Sequence, residues 1–165
     1  MASPSAIVVV AAQGRVSAAH VDLLRQEIGD EALLVDPERR AAYGADETEA
    51  LHVLPDLVVL PSTVEQVSAT LRLASAHRLP VVPRGAGTGL AGGATPERGG
   101  VVLSLNRMAG VLRVDEERML AWVEPGLVNL QLSQQLAPDG LYYAPDPASQ
   151  QVSTIGGNVA TNAGG

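Results

Sequence analysis

Leu57-Val58-Val59-Leu60-Pro61-Ser62-Thr63-Val64-Glu65 opens a stretch that runs on to Val81-Val82-Pro83 and decides the fold. Four apolar residues in a row, stopped by Pro61, read as a strand covered on both faces. Ser62 and Glu65 have the capping-box spacing, in which a hydroxyl and a carboxylate satisfy free N–H groups at a helix start. Val64, Val67, Leu71 and Ala74 then mark one helical face. His77-Arg78 suit the negative end of the helix dipole, and Pro80 prevents the helix from continuing. Val81-Val82 is the returning strand. Residues 57–83 are therefore predicted to form a βαβ unit with a parallel, right-handed crossover.

The next residues are Pro83-Arg84-Gly85-Ala86-Gly87-Thr88-Gly89-Leu90-Ala91-Gly92-Gly93-Ala94, with five glycines between Gly85 and Gly93. Glycine permits positive φ and close approach to the backbone, and successive N–H groups in such a turn can converge on an anion. The loop leaves the carboxyl end of a parallel strand, where open α/β sheets commonly bind ligands. A phosphate-cradling loop is favoured over a passive surface turn. Arg84 would either pair with the phosphate or tie the loop to a carbonyl, and the sequence leaves both open. Gly87-Thr88-Gly89-Leu90-Ala91-Gly92 formally matches G-x-G-x-x-G. However, Gly93, Pro96, Gly99 and Gly100 leave no room for the required helix before the strand at Val101. Walker A fails too, because no Gly-Lys-Ser/Thr follows.

Upstream, Ser17 is predicted to cap a helix ending at Ile28, with Val21, Leu24 and Ile28 on one stripe and Gly29 as its stop. Leu33 to Val35 reads as a short strand ended by Asp36-Pro37. Residues 38–54 are polar, and Asp46, Glu47 and Glu49 lack calcium-loop spacing, so a solvated loop is expected. Downstream, Val101 to Leu105 is a third strand. Val111 to Val114 and Met119 to Val123 flank Asp115-Glu116-Glu117-Arg118 as an antiparallel hairpin. A turn at Glu124-Pro125-Gly126 leads to a helix around Leu127 to Leu136, ended by Pro138-Asp139-Gly140. A second small-residue segment runs from Ser153 to Gly165. Its hydroxyls and glycines suit a flat ligand, or else a buried turn where two backbones pass closely.

Composition narrows the function. The 165 residues are 46% hydrophobic but only 2% aromatic, with no Phe, so the core must be built from Ala, Val and Leu. A net charge of −7 argues against a nucleic-acid partner. There is no Cys, which excludes disulfides and a thiol nucleophile and fits a cytosolic protein. Ile7 to Ala12 is too short for a membrane span and has no preceding positive charge, so a loosely held strand or tail is expected. His20, His52 and His77 have no metal-ligand spacing, and no metal is expected. Trp122 is expected in the core.

Pro83 to Leu90 with Gly92-Gly93, then Tyr143-Ala144-Pro145-Asp146-Pro147, then Thr154-Ile155-Gly156-Gly157-Asn158-Val159-Ala160, resemble the FAD-linked oxidase family. The likeness is greatest to the FAD-binding subunit of glycolate oxidase and to FAD-linked D-lactate dehydrogenases. It runs from about Val21 to Gly165. The resemblance implies an α+β, PCMH-type (vanillyl-alcohol-oxidase type) FAD domain: a βαβ parallel-sheet lobe, then the start of a mostly antiparallel lobe. Residues 1–16 would be a tail, 17–54 a helical segment and 55–165 the FAD-binding domain.

The same resemblance implies that Pro83, Arg84, Gly85, Ala86, Gly87, Thr88, Gly89 and Leu90 hold the FAD diphosphate. Pro145, Asp146, Ser149, Thr154, Ile155, Gly156, Gly157, Asn158, Ala160 and Thr161 would lie along the rest of the cofactor. A carboxylate beside a diphosphate is repulsive, so Asp146 is expected to brace loops by accepting N–H bonds. Relatives with covalent flavin carry a His in the first loop, where this chain has Thr88. Non-covalent FAD is therefore expected. The implied protein is roughly three times longer, and no catalytic acid or base is expected here. The resemblance further implies oxidation of a 2-hydroxy acid, glycolate or D-lactate, through a domain beyond Gly165. Other glycolate oxidase subunits would be partners, and the location cytoplasmic or peripheral to the inner membrane. The alternatives are a catalytically inactive fragment and a same-fold reductase such as UDP-N-acetylenolpyruvoylglucosamine reductase.

Overall fold

The computed structural model describes residues 15–48 and 51–165. The predicted strand or tail at 7–12 and the acidic Glu49 lie outside the described residues. Helix α1 (Ala18–Ile28) starts at Ser17, whose hydroxyl accepts from the His20 N–H while the Ser17 N–H donates to His20 Nδ1. Gly29 ends it at φ +86°. Strand β1 (Leu33–Leu34) follows, and then α2 (Pro37–Ala41), where a loop was expected. Asp36 caps α2 through the Arg39 N–H at 2.9 Å, and Pro37 occupies the first turn, where its missing N–H costs nothing.

Strand β2 (Leu57–Val59) and helix α3 (Val64–His77) form as expected, but the cap shifts by one residue. Thr63, not Ser62, accepts the Gln66 N–H, and the Gln66 side chain reaches back to the Ser62 N–H at 2.7 Å. The inward face is also rotated from the predicted one. Val64 and Leu71 are 67% and 45% exposed, whereas Ala69, Thr70, Leu73 and Ala74 are buried. The buried Thr70 hydroxyl is satisfied by the Gln66 carbonyl. Small side chains on this face suit close packing against α1 and the sheet.

Strands β3 (Val81–Arg84) and β4 (Val101–Ser104) complete a four-stranded sheet of order β1-β2-β4-β3. The crossover is parallel, as expected, but β2 and β3 are not neighbours: β4 lies between them and pairs in parallel with both. The burial explains this order. All four β4 residues are buried, while β3 carries the exposed Pro83, which lacks a ladder donor and belongs at an edge. Alternate residues of the apolar run serve two cores. Leu57 and Val59 pack with Leu24, Ile28, Leu73 and Val101, whereas Val58 and Leu60 pack with Leu34 and Val102.

The second lobe begins with the antiparallel hairpin β5 (Val111–Asp115) and β6 (Leu120–Val123), which has a register shift between Val111 and Arg113. Helix α4 (Asn129–Leu136) starts two residues later than expected, and a 3-10 turn at Ala137–Asp139 ends at Gly140. The final segment forms a short helix, α5 (Ile155–Thr161), capped by Thr154. Leu127, Leu132, Leu136 and Ile155 make this lobe's core. Trp122 is not in it: the ring is 44% exposed, with the Arg113 guanidinium 4.7 Å from its centroid. On such a thin hairpin only one face meets the α4–α5 layer, and Trp122 lies on the other. The result is an α+β architecture with a mainly parallel first lobe and an antiparallel second one.

Candidate functional site

Strand β3 delivers Arg84 to the start of the glycine loop. The side chain is buried, and its Nη1 donates to the Ala45 carbonyl at 2.6 Å and the Ala94 carbonyl at 3.5 Å. The guanidinium also lies 5.8 Å from the centroid of the Tyr43 ring. Burial pushes its pKa down, against the favourable charge of Asp46. Of the two roles left open for Arg84, the carbonyl tie is the one observed. Gly87, at φ +79°, lies so close over this guanidinium that a Cβ there would overlap it.

A strap formed by residues 44–48 holds the loop from outside. The Glu47 N–H donates to the Gly89 carbonyl at 3.0 Å. The Gly92 N–H donates to the Thr48 hydroxyl at 2.7 Å, and the Ala94 N–H reaches Asp46 Oδ2 at 3.4 Å. Asp46 Oδ1 also accepts the Thr48 N–H at 3.0 Å. Burial pushes the Asp46 pKa up, but hydrogen bonds from Thr48 and Ala94 outweigh it and hold the carboxyl below its usual range. The expectation of a free solvated loop here is corrected, because these polar side chains are engaged by the amides of another loop. The available signal was Asp46-Glu47-Thr48 itself, since an Asp side chain readily bonds the N–H two residues on.

Within the glycine loop, the main-chain N–H groups of Gly85 to Ala91 donate to no acceptor among the described residues. That is a run of seven donors between a fixed strand end and the pinned Gly92. The second glycine segment lies directly beside it. A Cβ built on Gly85 would overlap the Thr154 hydroxyl and come within 3.8 Å of the Gly157 Cα. The two segments, distant in sequence, therefore share one surface.

The later residues contribute differently from the first loop. The Gly156 N–H is taken by the Pro125 carbonyl, and the Gly157 N–H by the Thr154 hydroxyl. Ile155 is in the core, and the buried Asn158 side chain donates to Asn129 Oδ1 at 3.0 Å. The Pro145 carbonyl accepts the Asn129 amide at 3.0 Å, and the Ser149 carbonyl accepts the Val152 and Ser153 N–H groups. Asp146 is exposed. Its carboxylate accepts from the Gln150 side chain, and its N–H donates to the Gly164 carbonyl. Ala160 and Thr161 are exposed on α5, with the Thr161 hydroxyl bonded to the Gly157 carbonyl. Thr154 and Gly157 are thus the residues brought against the first loop.

This arrangement is that of a nucleotide-cofactor domain. A family described as FAD binding domain matches residues 55–165, and the chain belongs to it. Over 142 residues it is 47% identical to the glycolate oxidase subunit GlcD of Escherichia coli K12, covering 86% of this chain and 28% of that protein. It is 38% identical to the D-lactate dehydrogenase of Anaerostipes hadrus over 141 residues, covering 85% and 30%. Among solved structures, an alkyldihydroxyacetonephosphate synthase superposes with a TM-score of 0.83 at 28% identity, covering 96% of this chain and 31% of that one. The chain spans less than a third of the length of these relatives.

FAD is the cofactor of this family's domain, and the residues fit such a group. A diphosphate can be held by converging main-chain donors, and the seven unspent amides of Gly85 to Ala91 supply them. Among the described residues, no helix is long and apolar enough to cross a membrane, and no group of three or more His, Asp or Glu could hold a metal ion.

Proposed function

We propose that this chain grips FAD, with the Gly85 to Leu90 main chain against the diphosphate and the Thr154 to Gly157 segment beside it. The observation that carries the reading is the run of seven unspent amides, whose first residue, Gly85, packs against Thr154 and Gly157. Asp46 lies behind the loop with its charge offset by the nearby Arg84, so it does not repel the anion unopposed. Pro145, Asp146 and Ser149 brace the approach of α5, while Ala160 and Thr161 present its open face. FAD, when bound, supplies the hydride acceptor; the chain's own part is to bind it and hold its orientation. With no His in the first loop, binding is non-covalent.

The parent activity is oxidation of a 2-hydroxy acid, glycolate or D-lactate, in keeping with the names of the relatives. Substrate groups would come from chain outside these residues. As in a glycolate oxidase subunit, further subunits are its partners, and they hold a cytoplasmic protein at the inner membrane surface. Titrating the purified chain with FAD while following flavin fluorescence tests the first step. Saturable quenching, with all flavin released on acid precipitation, is expected, and no turnover of glycolate or D-lactate by the chain alone. Absence of quenching overturns the proposal, and flavin left on the precipitated protein overturns its non-covalent part.

A further inference from the structure

We propose that Asp46 and Thr48 are positioning residues for the glycine loop: they pin Gly92 and Ala94 so that the amides before them are ordered before any ligand arrives. This inference rests on the FAD reading and extends it to residues outside the glycine motifs. Glycine loses more conformational freedom on ordering than any other residue, and this loop has five in nine positions. Binding that had to freeze such a loop would lose affinity accordingly, whereas a loop frozen in advance would not.

The geometry supplies the freezing from both ends. On the strand side, the Leu105 N–H donates to the Arg84 carbonyl at 3.0 Å, and Arg84 itself bonds Ala45 and Ala94. On the far side, Thr48 takes the Gly92 N–H and Asp46 takes the Ala94 N–H. Between them, the Glu47 N–H holds the Gly89 carbonyl. The intervening N–H groups of Gly85 to Ala91 have no acceptor among the described residues. The strap is anchored in turn, since the Val53 N–H donates to the Gly44 carbonyl at 2.8 Å.

Thr48→Val removes the hydroxyl acceptor while keeping the shape, Thr48→Ser retains it, and Asp46→Asn removes the charge. Two readouts are needed on the unmodified chain and each variant: amide hydrogen exchange without flavin, and FAD affinity with its binding entropy by calorimetry. In Thr48→Val, exchange at Gly92 and Ala94 should rise by about tenfold, the scale of one hydrogen bond. Exchange at Val58 and Val102 should not change. FAD affinity should weaken by a similar factor through a more unfavourable entropy, and Thr48→Ser should restore it. Asp46→Asn should shift both in the same direction.

Unchanged exchange at Gly92 and Ala94 overturns the pinning. Faster exchange with unchanged FAD affinity overturns the positioning role. If Val58 and Val102 lose protection in Thr48→Val, Asp46→Asn decides by the same criteria. An unmodified chain that takes up no FAD defeats the cofactor reading instead, and the exchange measurement, which needs no flavin, still judges the pin.

Discussion

The main chain of Gly85 lies directly against the buried hydroxyl of Thr154, although the two are far apart in sequence. The contact joins the end of the parallel sheet to the cap of the last helix. It brings the two glycine segments together by direct packing. The Thr154 hydroxyl is itself engaged by the Gly157 N–H, so it cannot swing aside without uncapping α5.

Gly85→Ala should therefore be destabilising for a steric reason. The new methyl group meets the Thr154 side chain, and overpacking of this kind costs about 1–3 kcal/mol. Urea unfolding should show the loss, and Gly85→Ala combined with Thr154→Ala, which removes the hydroxyl that the methyl meets, should lose less than the two single variants together. An unchanged midpoint for Gly85→Ala would mean that the two segments are not held together as described.

Acid should loosen the strap. The Asp46 carboxyl titrates below its ordinary value in the folded chain, so its contribution to stability is full above the unfolded pKa, about 4. It is lost as pH falls through the lower folded value. Melting temperatures measured between about pH 6 and pH 3 should fall less steeply for Asp46→Asn than for the unmodified chain. Parallel curves would remove Asp46 from the acid response.

Asn129 is the polar hinge of the second lobe. It is buried, accepts from Asn158 and donates to the Pro145 carbonyl. Asn129→Leu should leave both partners unsatisfied and cost about 2–6 kcal/mol, at about 1–3 per stranded group. Chemical denaturation measures this, and near-UV circular dichroism should report loosened packing around Tyr143.

Trp122 should be nearly dispensable for stability. With its ring half in solvent and one cation over it, Trp122→Ala should cost no more than about 1 kcal/mol. The fluorescence of the unmodified chain should be readily quenched by iodide. A loss several times larger would mean that the hairpin's outer face is covered.

The sequence was most legible where local chemistry decides the outcome. Ser17 and Gly29 bound α1, and Pro61 and Pro80 separate β2, α3 and β3, because caps and prolines act within a few residues. Strand order was less legible. The apolar run at β4 reveals a buried strand but not which gap it fills, and Pro83 was the clue that β3 is an edge. The glycine segments were readable as a pair. The strap was not, because Asp46 and Thr48 gain their meaning from amides 44 and 48 residues away. Asn129 escaped notice for the same reason: its partners are 16 and 29 residues distant.

The placement of β4 between β2 and β3 carries a consequence for biosynthesis. While the chain is still leaving the ribosome, β2 can zip only to β1, and β3 has no strand to join. The parallel sheet closes only when Val101 to Ser104 emerge and slot into the waiting gap. Until then the nascent polypeptide presents unpaired strand edges, so any pause in translation before codon 101 leaves it dependent on chaperones.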